Sequence, residues 1–508
     1  MQLSRIDAAV LAETEAAPTP LVAVIDLGSN SIRLVVFSEQ VRVPFPMFNE
    51  KVVCGLGRGV RSTGRLDRQG IRAAHEALTR YVGLARAMNV SRLDVLATAA
   101  VREADDGPDF VADLERRFDI RVRVLSGPEE SRLAARGVAA VRTNADGIMG
   151  DLGGGSLDLV MLDKGELGAD ASLLLGHLWL TEVSGGDREA ARKIIDDALA
   201  AIAWLGDAGG RSLFAVGGAW RTLAGVSISQ SGRPLHVIDE YTISAREAAD
   251  LTHAIARLSP ATIARIPGVS RGRLDTLPLS ALIMERLLHA ARPKRVVFCA
   301  GGMREGRFFE ALPQSAERID PLIEGCEALA RRHRRFGLDG RELARWMAPL
   351  FAGDDVIDAR LRLAACHLSD IVWTEHPEYR GAIARQRILY VPLWGVSHRE
   401  RILIALCVGF RYQRDAAAGE VAQTLLKEHE VRNAHAVGLA LRLAFTLSGG
   451  VPDLLSRTRL KRKRQQVTLV LPDGGKIFEG EKVERRLRSL ARVLGLVSTV
   501  TVQGKRRS

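Results

Sequence analysis

Ten residues, Asp26-Leu27-Gly28-Ser29-Asn30-Ser31-Ile32-Arg33-Leu34-Val35, recur with six identities as Asp151-Leu152-Gly153-Gly154-Gly155-Ser156-Leu157-Asp158-Leu159-Val160, at a constant offset of 125 residues. In both copies an apolar run precedes the Asp and another follows the Ser. A strand–tight turn–strand that occurs twice restricts the chain to architectures built from a duplicated unit. The surrounding patterns alternate. Strands are predicted at 21–27, 32–37, 93–97 and 120–125, and helices at 67–88, 110–118 and 128–141. The second half adds a helix at 187–205, a strand at 213–216, Gly217-Gly218, a helix at 277–291, a strand at 295–299 and Gly301-Gly302. This order predicts α/β structure with mostly buried sheets.

At 508 residues the chain exceeds a single domain. Glycines thin out after about residue 320, and helical patterns dominate to about 450. The run Lys461-Arg462-Lys463-Arg464 reads as a linker. Beyond it, 466–471, a Pro-Asp-Gly-Gly turn, 481–494 and 497–502 predict a small strand–helix–strand module. The expected partition is an N-terminal arm (1–19), α/β domains at 20–133 and 134–315, a helical domain at 316–455 and a small basic α/β domain at 456–508.

Aromatic residues are 5% of the chain, so its cores must rest on Ala, Leu, Val and Ile. The five cysteines (Cys54, Cys299, Cys326, Cys366, Cys407) form no CxxC pair and read as buried small hydrophobes. No apolar run is long enough to span a membrane. The first twenty residues lack a basic start followed by an apolar stretch, so the expectation is a cytoplasmic protein with no membrane partner. Charge is unevenly spread. Residues 1–320 are near neutral at −1, whereas 451–508 carry +10 of the chain's +12. A basic terminal face of that density suits a polyanion.

Each Asp-x-Gly turn leaves backbone N–H groups exposed where glycine lets phosphate oxygens approach. Asn30, Ser31, Gly153, Gly154, Gly155 and Ser156 are the expected phosphate cradle. Asp26 and Asp151, at strand ends, can hold a divalent cation directly or through water. In Ser126-Gly127-Pro128-Glu129-Glu130-Ser131-Arg132, Ser126 and Glu129 fit a capping box with Pro128 in the first turn. That gives Glu129 a structural task and leaves Glu130, about 100° further round the helix, free to face a cleft. Arg102, in Ala97-Thr98-Ala99-Ala100-Val101-Arg102-Glu103, follows a strand's C-terminal end, where α/β sheets gather ligands. Its planar fork can grip a phosphate.

Together with Gly301-Gly302-Met303-Arg304-Glu305-Gly306, these motifs resemble the exopolyphosphatase and guanosine pentaphosphate phosphatase family, within the actin and sugar-kinase superfamily. The resemblance covers roughly residues 20–310. It implies two actin-like (ribonuclease H-like) α/β domains, an all-helical HD-like domain, a small α/β C-terminal domain and a homodimer. It assigns Glu130 as catalytic base, Arg102 as a phosphate-gripping residue and Asp151 as a metal-site carboxylate. Asp158 stands where the family usually has Glu, one methylene longer. Gly217-Gly218-Ala219-Trp220-Arg221-Thr222 stands where Ser/Thr is common, so Trp220 and Arg221 read as core and surface residues or as restricting a nucleotide site. His367-Leu368-Ser369-Asp370 replaces an adjacent His-Asp pair, so His333, His367, His376 and His398 read as structural or channel-facing rather than as a second metal site.

The expected activity is hydrolysis of the terminal phosphoanhydride of inorganic polyphosphate. Mg²⁺ or another divalent cation would sit near Asp151, Asp158 and Asp26, with room for a monovalent cation as well. The cleft needs to hold a terminal phosphate or two, and Lys461, Arg462, Lys463, Arg464 and their basic neighbours would track the rest of the polymer. Three alternatives stand beside this: removal of the 5′ γ-phosphate of guanosine pentaphosphate, a superfamily kinase, and a nucleic-acid-binding protein. Phe478 is the one aromatic in residues 451–508, so the stacking platforms of single-strand binders are missing and no nucleic-acid partner is expected.

Overall fold

The computed structural model describes residues 20–38, 43, 45–313, 319–333, 335–353 and 358–503. The expected arm at 1–19 and the basic Lys505-Arg506-Arg507 lie outside the described residues. The chain divides into two compact units. One takes in residues 1–140, 144–223 and 243–317, and the other 141–143, 224–242 and 318–508.

The first unit holds two sheets. One is built from β1 (Leu21–Leu27), β2 (Ser31–Ser38), β3 (Phe45–Val53), β4 (Arg92–Ala97) and β5 (Val122–Val124), in the order β3-β2-β1-β4-β5. The other is built from β6 (Gly147–Leu152), β7 (Leu157–Asp163), β8 (Glu166–Leu173), β9 (Ser212–Val216), β10 (Tyr241–Ser244) and β11 (Arg295–Phe298), in the order β10-β11-β9-β6-β7-β8. The topology repeats as the sequence does. In each sheet three antiparallel strands are followed by two parallel ones, β1-β4-β5 in the first and β6-β9-β11 in the second. The register repeats too. Asp26 lies opposite Arg33, and Asp151 lies opposite Asp158. One copy therefore sets a cation beside its aspartate and the other sets a second carboxylate.

The predicted central strands are present because their residues are apolar on both faces; Val22 to Ile25 are fully buried. The edge strands β3 and β8 left no such trace in the sequence. β3 alternates exposed and half-buried residues and carries Pro46, which an edge tolerates. The 67–88 helix runs Arg68–Ala87, capped by the Asp67 carboxylate accepting from Gly70 N at 2.6 Å. Trp220 is a core residue, its Nε1 donating to the Ser280 carbonyl at 3.0 Å. None of the five cysteines is in a disulfide, and all are buried.

In the second unit, helices from Pro321–His333 to Glu428–Ser448 are followed by β12 (Arg459–Lys463), β13 (Gln466–Leu471), the helix Glu481–Val493 and β14 (Val497–Val502). β13 is the centre of a three-stranded sheet, antiparallel to β12 and parallel to β14. The basic run read as a linker is corrected here. Lys461, Arg462 and Lys463 belong to strand β12, where the backbone ladder to β13 and one buried residue, Leu460, outweigh the charge pattern. One apolar core joins helical residues such as Leu406 and Leu441 to Leu469, Leu487 and Leu490 of the small sheet module. His367 is buried against Gly340, His398 stacks obliquely on Tyr241, and Asp370 accepts from Arg335 and Arg411 at 2.7 Å each. Among the described residues, no helix is long and apolar enough to cross a membrane.

Two helices of the first unit, Gly127–Val141 and Met303–Glu310, meet through glycine. A β-carbon on Gly306 would lie 1.8 Å from the Leu133 carbonyl oxygen, and one on Gly137 would lie 2.2 Å from that of Gly302. Backbone cannot yield as a flexible side chain does. Gly306→Ala is therefore expected to destabilise the protein by more than about 2 kcal/mol, read from the denaturant midpoint of unfolding. A midpoint equal to wild type would show that the helices can part freely.

Candidate active site

The two repeated turns close in the same way. Gly28 N donates to the Ser31 carbonyl at 3.1 Å and Gly153 N to the Ser156 carbonyl at 3.0 Å. They line a common cleft of about 160 Å³. Residues that the sequence separates converge there. Asp26, Asn30, Ser31, Glu130, Asp151, Gly153, Gly154, Gly155, Ser156 and Asp158 all line it. The second turn is held from behind by the helix His177–Ser184. Leu178 N donates to the Gly154 carbonyl at 2.9 Å and Gly176 N to the Gly155 carbonyl at 3.1 Å. Gly176 must be glycine, since a β-carbon would fall 2.2 Å from the Gly155 carbonyl carbon.

The division of labour between the adjacent glutamates has a clear geometry. Glu129 closes the capping box, its Oε2 accepting from Ser126 N at 2.9 Å and Ser126 Oγ at 2.8 Å. The Arg123 hydrogen bond, then Ser126, hold its carboxyl down at about 2. Glu130 points into the cleft. Burial first, and then the nearby Asp158 charge, push its carboxyl well above the usual range. Arg102 Nη1 donates to Glu130 Oε2 at 3.1 Å and to the Leu125 carbonyl at 2.8 Å, and Arg102 Nε donates to Glu103 at 2.9 Å. Arg102 thus stands behind the glutamate and orients it, while the cleft wall is formed by other cations.

Asp151 is raised to about 6 and Asp158 to about 7, in both cases chiefly by burial. Asp26 is raised by burial as well, against the pull of Arg304 and Arg33. Ser156 Oγ donates to Asp158 Oδ2 at 3.1 Å, while Asp158 Oδ1 is buried outside hydrogen-bond geometry. Carboxyls held this close favour a proton or a cation between them. Among the described residues, no group of three His, Cys, Asp or Glu side chains closes a metal site unaided.

Five further residues in the cleft were not assigned from the sequence: Arg33, Lys51, Arg221, Arg273 and Arg304. Burial and mutual repulsion lower Arg33 to about 10 and Lys51 to about 8. The near-neutral first 320 residues therefore hide a cleft dense in charge of both signs, because a count over a whole domain averages site and surface. Arg221, read as a surface residue or as restricting a nucleotide site, lines the cleft and donates to the Ala300 carbonyl at 3.2 Å. The signal for Arg33 was present in the repeat. It occupies the position equivalent to Asp158, opposite the turn aspartate in register. Lys51 had no such signal, since its strand was not legible.

Residues 35–315 match the model of the Ppx/GppA phosphatase family, and 322–500 match the model described as exopolyphosphatase, C-terminal. The chain belongs to the Ppx/GppA phosphatase family. A family relative, Exopolyphosphatase 1 of Mycobacterium tuberculosis, is 28% identical over 313 residues, covering 58% of this chain and 89% of that protein. Retrograde regulation protein 2 of Saccharomyces cerevisiae is 25% identical over 475 residues, covering 82% and 78%. The crystal structure of the Aquifex aeolicus family member aligns with a TM-score of 0.50 at 23% identity, covering 58% of this chain and 97% of that one. The last of these shows the shared fold. Within it, the cleft of this Ppx/GppA phosphatase collects four carboxyls, Asp158 buried and the other three half-buried, and five cations around the two glycine turns.

The two glutamates should differ in what they do for stability. Glu129→Gln weakens a cap and an ion pair and is expected to cost up to about 1 kcal/mol. Glu130→Gln replaces a half-buried carboxyl of raised proton affinity with a neutral amide whose oxygen can still accept from Arg102, and should leave stability equal or higher. Chemical unfolding at neutral pH decides this; a larger loss for Glu130→Gln would make that residue a structural one.

Proposed function

We propose that the protein is an exopolyphosphatase, which hydrolyses the terminal phosphoanhydride of inorganic polyphosphate and releases orthophosphate. The observation that carries this reading is Glu130. A half-buried carboxyl of raised proton affinity faces two backbone turns suited to hold phosphate, in a cleft lined with guanidinium groups. The name Exopolyphosphatase 1 borne by the mycobacterial relatives points the same way.

In this mechanism the N–H groups of the two turns and the side chains of Asn30, Ser31 and Ser156 hold the terminal phosphate. Arg33, Lys51, Arg221, Arg273 and Arg304 offset its charge and that of the next phosphate. Glu130, aimed by Arg102, accepts a proton from water as the water oxygen bonds to phosphorus. The bridging P–O bond breaks, and the shortened polyphosphate leaves with its electron pair.

Asp151 and Asp158, opposite each other in register with Asp26 close by, suit a divalent cation such as Mg²⁺, which keeps to one or two carboxylates and takes its other ligands from water and phosphate. Such an ion would stabilise negative charge on the transferring phosphoryl group. The rest of the polymer needs a second cationic surface. On the second unit Lys463 and Arg464 flank a shallow depression, and Arg414, Arg442, Arg485 and Arg486 line another, each of about 680 Å³.

Glu130→Gln is expected to lower kcat by on the order of 10²–10⁴ with folding intact, and Glu129→Gln far less. Phosphate release from long-chain polyphosphate beside guanosine pentaphosphate measures both the activity and its substrate. Release from the nucleotide alone, or equal losses in the two variants, would overturn the reading. Chelator should abolish activity and excess Mg²⁺ restore it, with Asp158→Glu tolerated; full turnover in chelator would remove the ion.

The basic strand is tested by Lys461→Gln/Lys463→Gln/Arg464→Gln. Arg462 is left in place because it donates to the Leu350 carbonyl. Truncation is unsuitable, since the module shares its core with the helices. The triple variant should raise KM for long chains in a salt-dependent way and leave short oligophosphates unchanged. Equal losses on both lengths would place the polymer elsewhere.

A further inference from the structure

His177 opens the helix that braces the second phosphate turn, and its ring lines the cleft. The side chain is 3% exposed, yet neither Nδ1 nor Nε2 lies in hydrogen-bond geometry with a protein group. Nothing in the packing of that helix calls for an imidazole. The attachment to the turn is made by backbone: Gly176 N to Gly155, and Leu178 N and Trp179 N to Gly154. A buried polar ring that makes no well-formed hydrogen bond is costly, and the cost falls when a ligand supplies one.

Charge decides what that ligand is. Burial, and after it the repulsion of Arg273 and Lys51, lower the imidazole to about 4, with the nearby Gly153 backbone pulling the other way. The ring is therefore neutral at neutral pH. A neutral imidazole carries one N–H donor and one acceptor nitrogen, whereas arginine and lysine only donate. The cations around the cleft recognise any oxyanion of suitable size. A group that also accepts recognises an oxyanion that still bears a proton.

We propose that His177 is a specificity residue for the protonated terminal phosphate, or for the orthophosphate product, accepting from its P–OH while donating to an unprotonated oxygen. The proposal rests on the reading of this cleft as the polyphosphate-cleaving site and adds the ionic form that it selects. Inorganic phosphate at neutral pH includes such a protonated dianion. Sulfate has the same shape and charge but no proton to give.

The test is equilibrium binding of inorganic phosphate and of sulfate to the full-length protein at neutral pH, by calorimetry. Wild type should prefer phosphate. His177→Phe, which keeps a flat ring without donor or acceptor, should lower the phosphate-to-sulfate preference roughly five- to tenfold, the worth of about one hydrogen bond. Glu130 and Asp158 also accept, so the preference should fall rather than vanish. His177→Gln, whose amide both donates and accepts, should restore most of it. A preference unchanged in His177→Phe overturns the proposal. If His177→Phe does not fold, the wild-type ring nitrogens decide. Their ¹⁵N resonances should shift on addition of phosphate more than of sulfate, and equal or absent shifts overturn it. Failure of the protein to release phosphate from polyphosphate would instead remove the reading beneath it, whatever these binding data show.

Discussion

Concentrated like charge is the constraint on which the first unit is organised. Asp158, buried, and Asp26, Asp151 and Glu130, half-buried, line one cleft, and their repulsion would open any loosely built one. Rigid backbone prevents that. The two hairpins are pinned at the same register position, and Gly176 lets a helix lie directly on the Gly154–Gly155 backbone. Gly137 and Gly306 let two further helices touch main chain to main chain. In one of those helices Glu130 is carried two turns before Gly137; the other begins at the Gly301-Gly302 turn, so the contact fixes glutamate and cleft floor to each other. Glycine at these points permits an approach that any side chain would prevent.

The cations complete the balance. Burial, and after it the neighbouring cations with Arg221 among them, lower the proton affinity of Arg33, Lys51 and Arg273, so the cleft holds concentrated charge of both signs. An anion relieves the repulsion among the cations, and a cation or a proton relieves that among the carboxyls. Phosphate with a divalent ion would do both at once. Arg102 belongs to a different layer. Its bonds to Glu130, Glu103 and the Leu125 carbonyl hold the glutamate in one orientation.

The second unit follows a simpler logic. Its helices and its three-stranded sheet share one apolar core, so charge is pushed outward onto β12 and the Glu481–Val493 helix. Buried arginines there serve the scaffold. Arg401 donates to the carbonyls of Val391 at 2.6 Å and Leu393 at 2.9 Å, and Arg411 holds Asp370. Others, Arg485 among them, are exposed.

What the amino-acid order determined by itself was whatever rests on local pattern. The central strands, the two aspartate turns, the cap at Glu129 and the cleft-facing position of Glu130 were legible, because apolar runs, glycine turns and a capping box act over a few residues. The repeat also implied that the turns share one cleft. Tertiary structure alone decided the rest. The edge strands β3, β8 and β12 exist through hydrogen bonds to a neighbouring strand, which no apolar run announces. Lys51 on β3, Arg273 in a short turn and His177 at a helix start reach the cleft from distant positions, each beside residues that give no sign of it. Their altered proton affinities arise from burial and from one another, and so come into being when the chain folds.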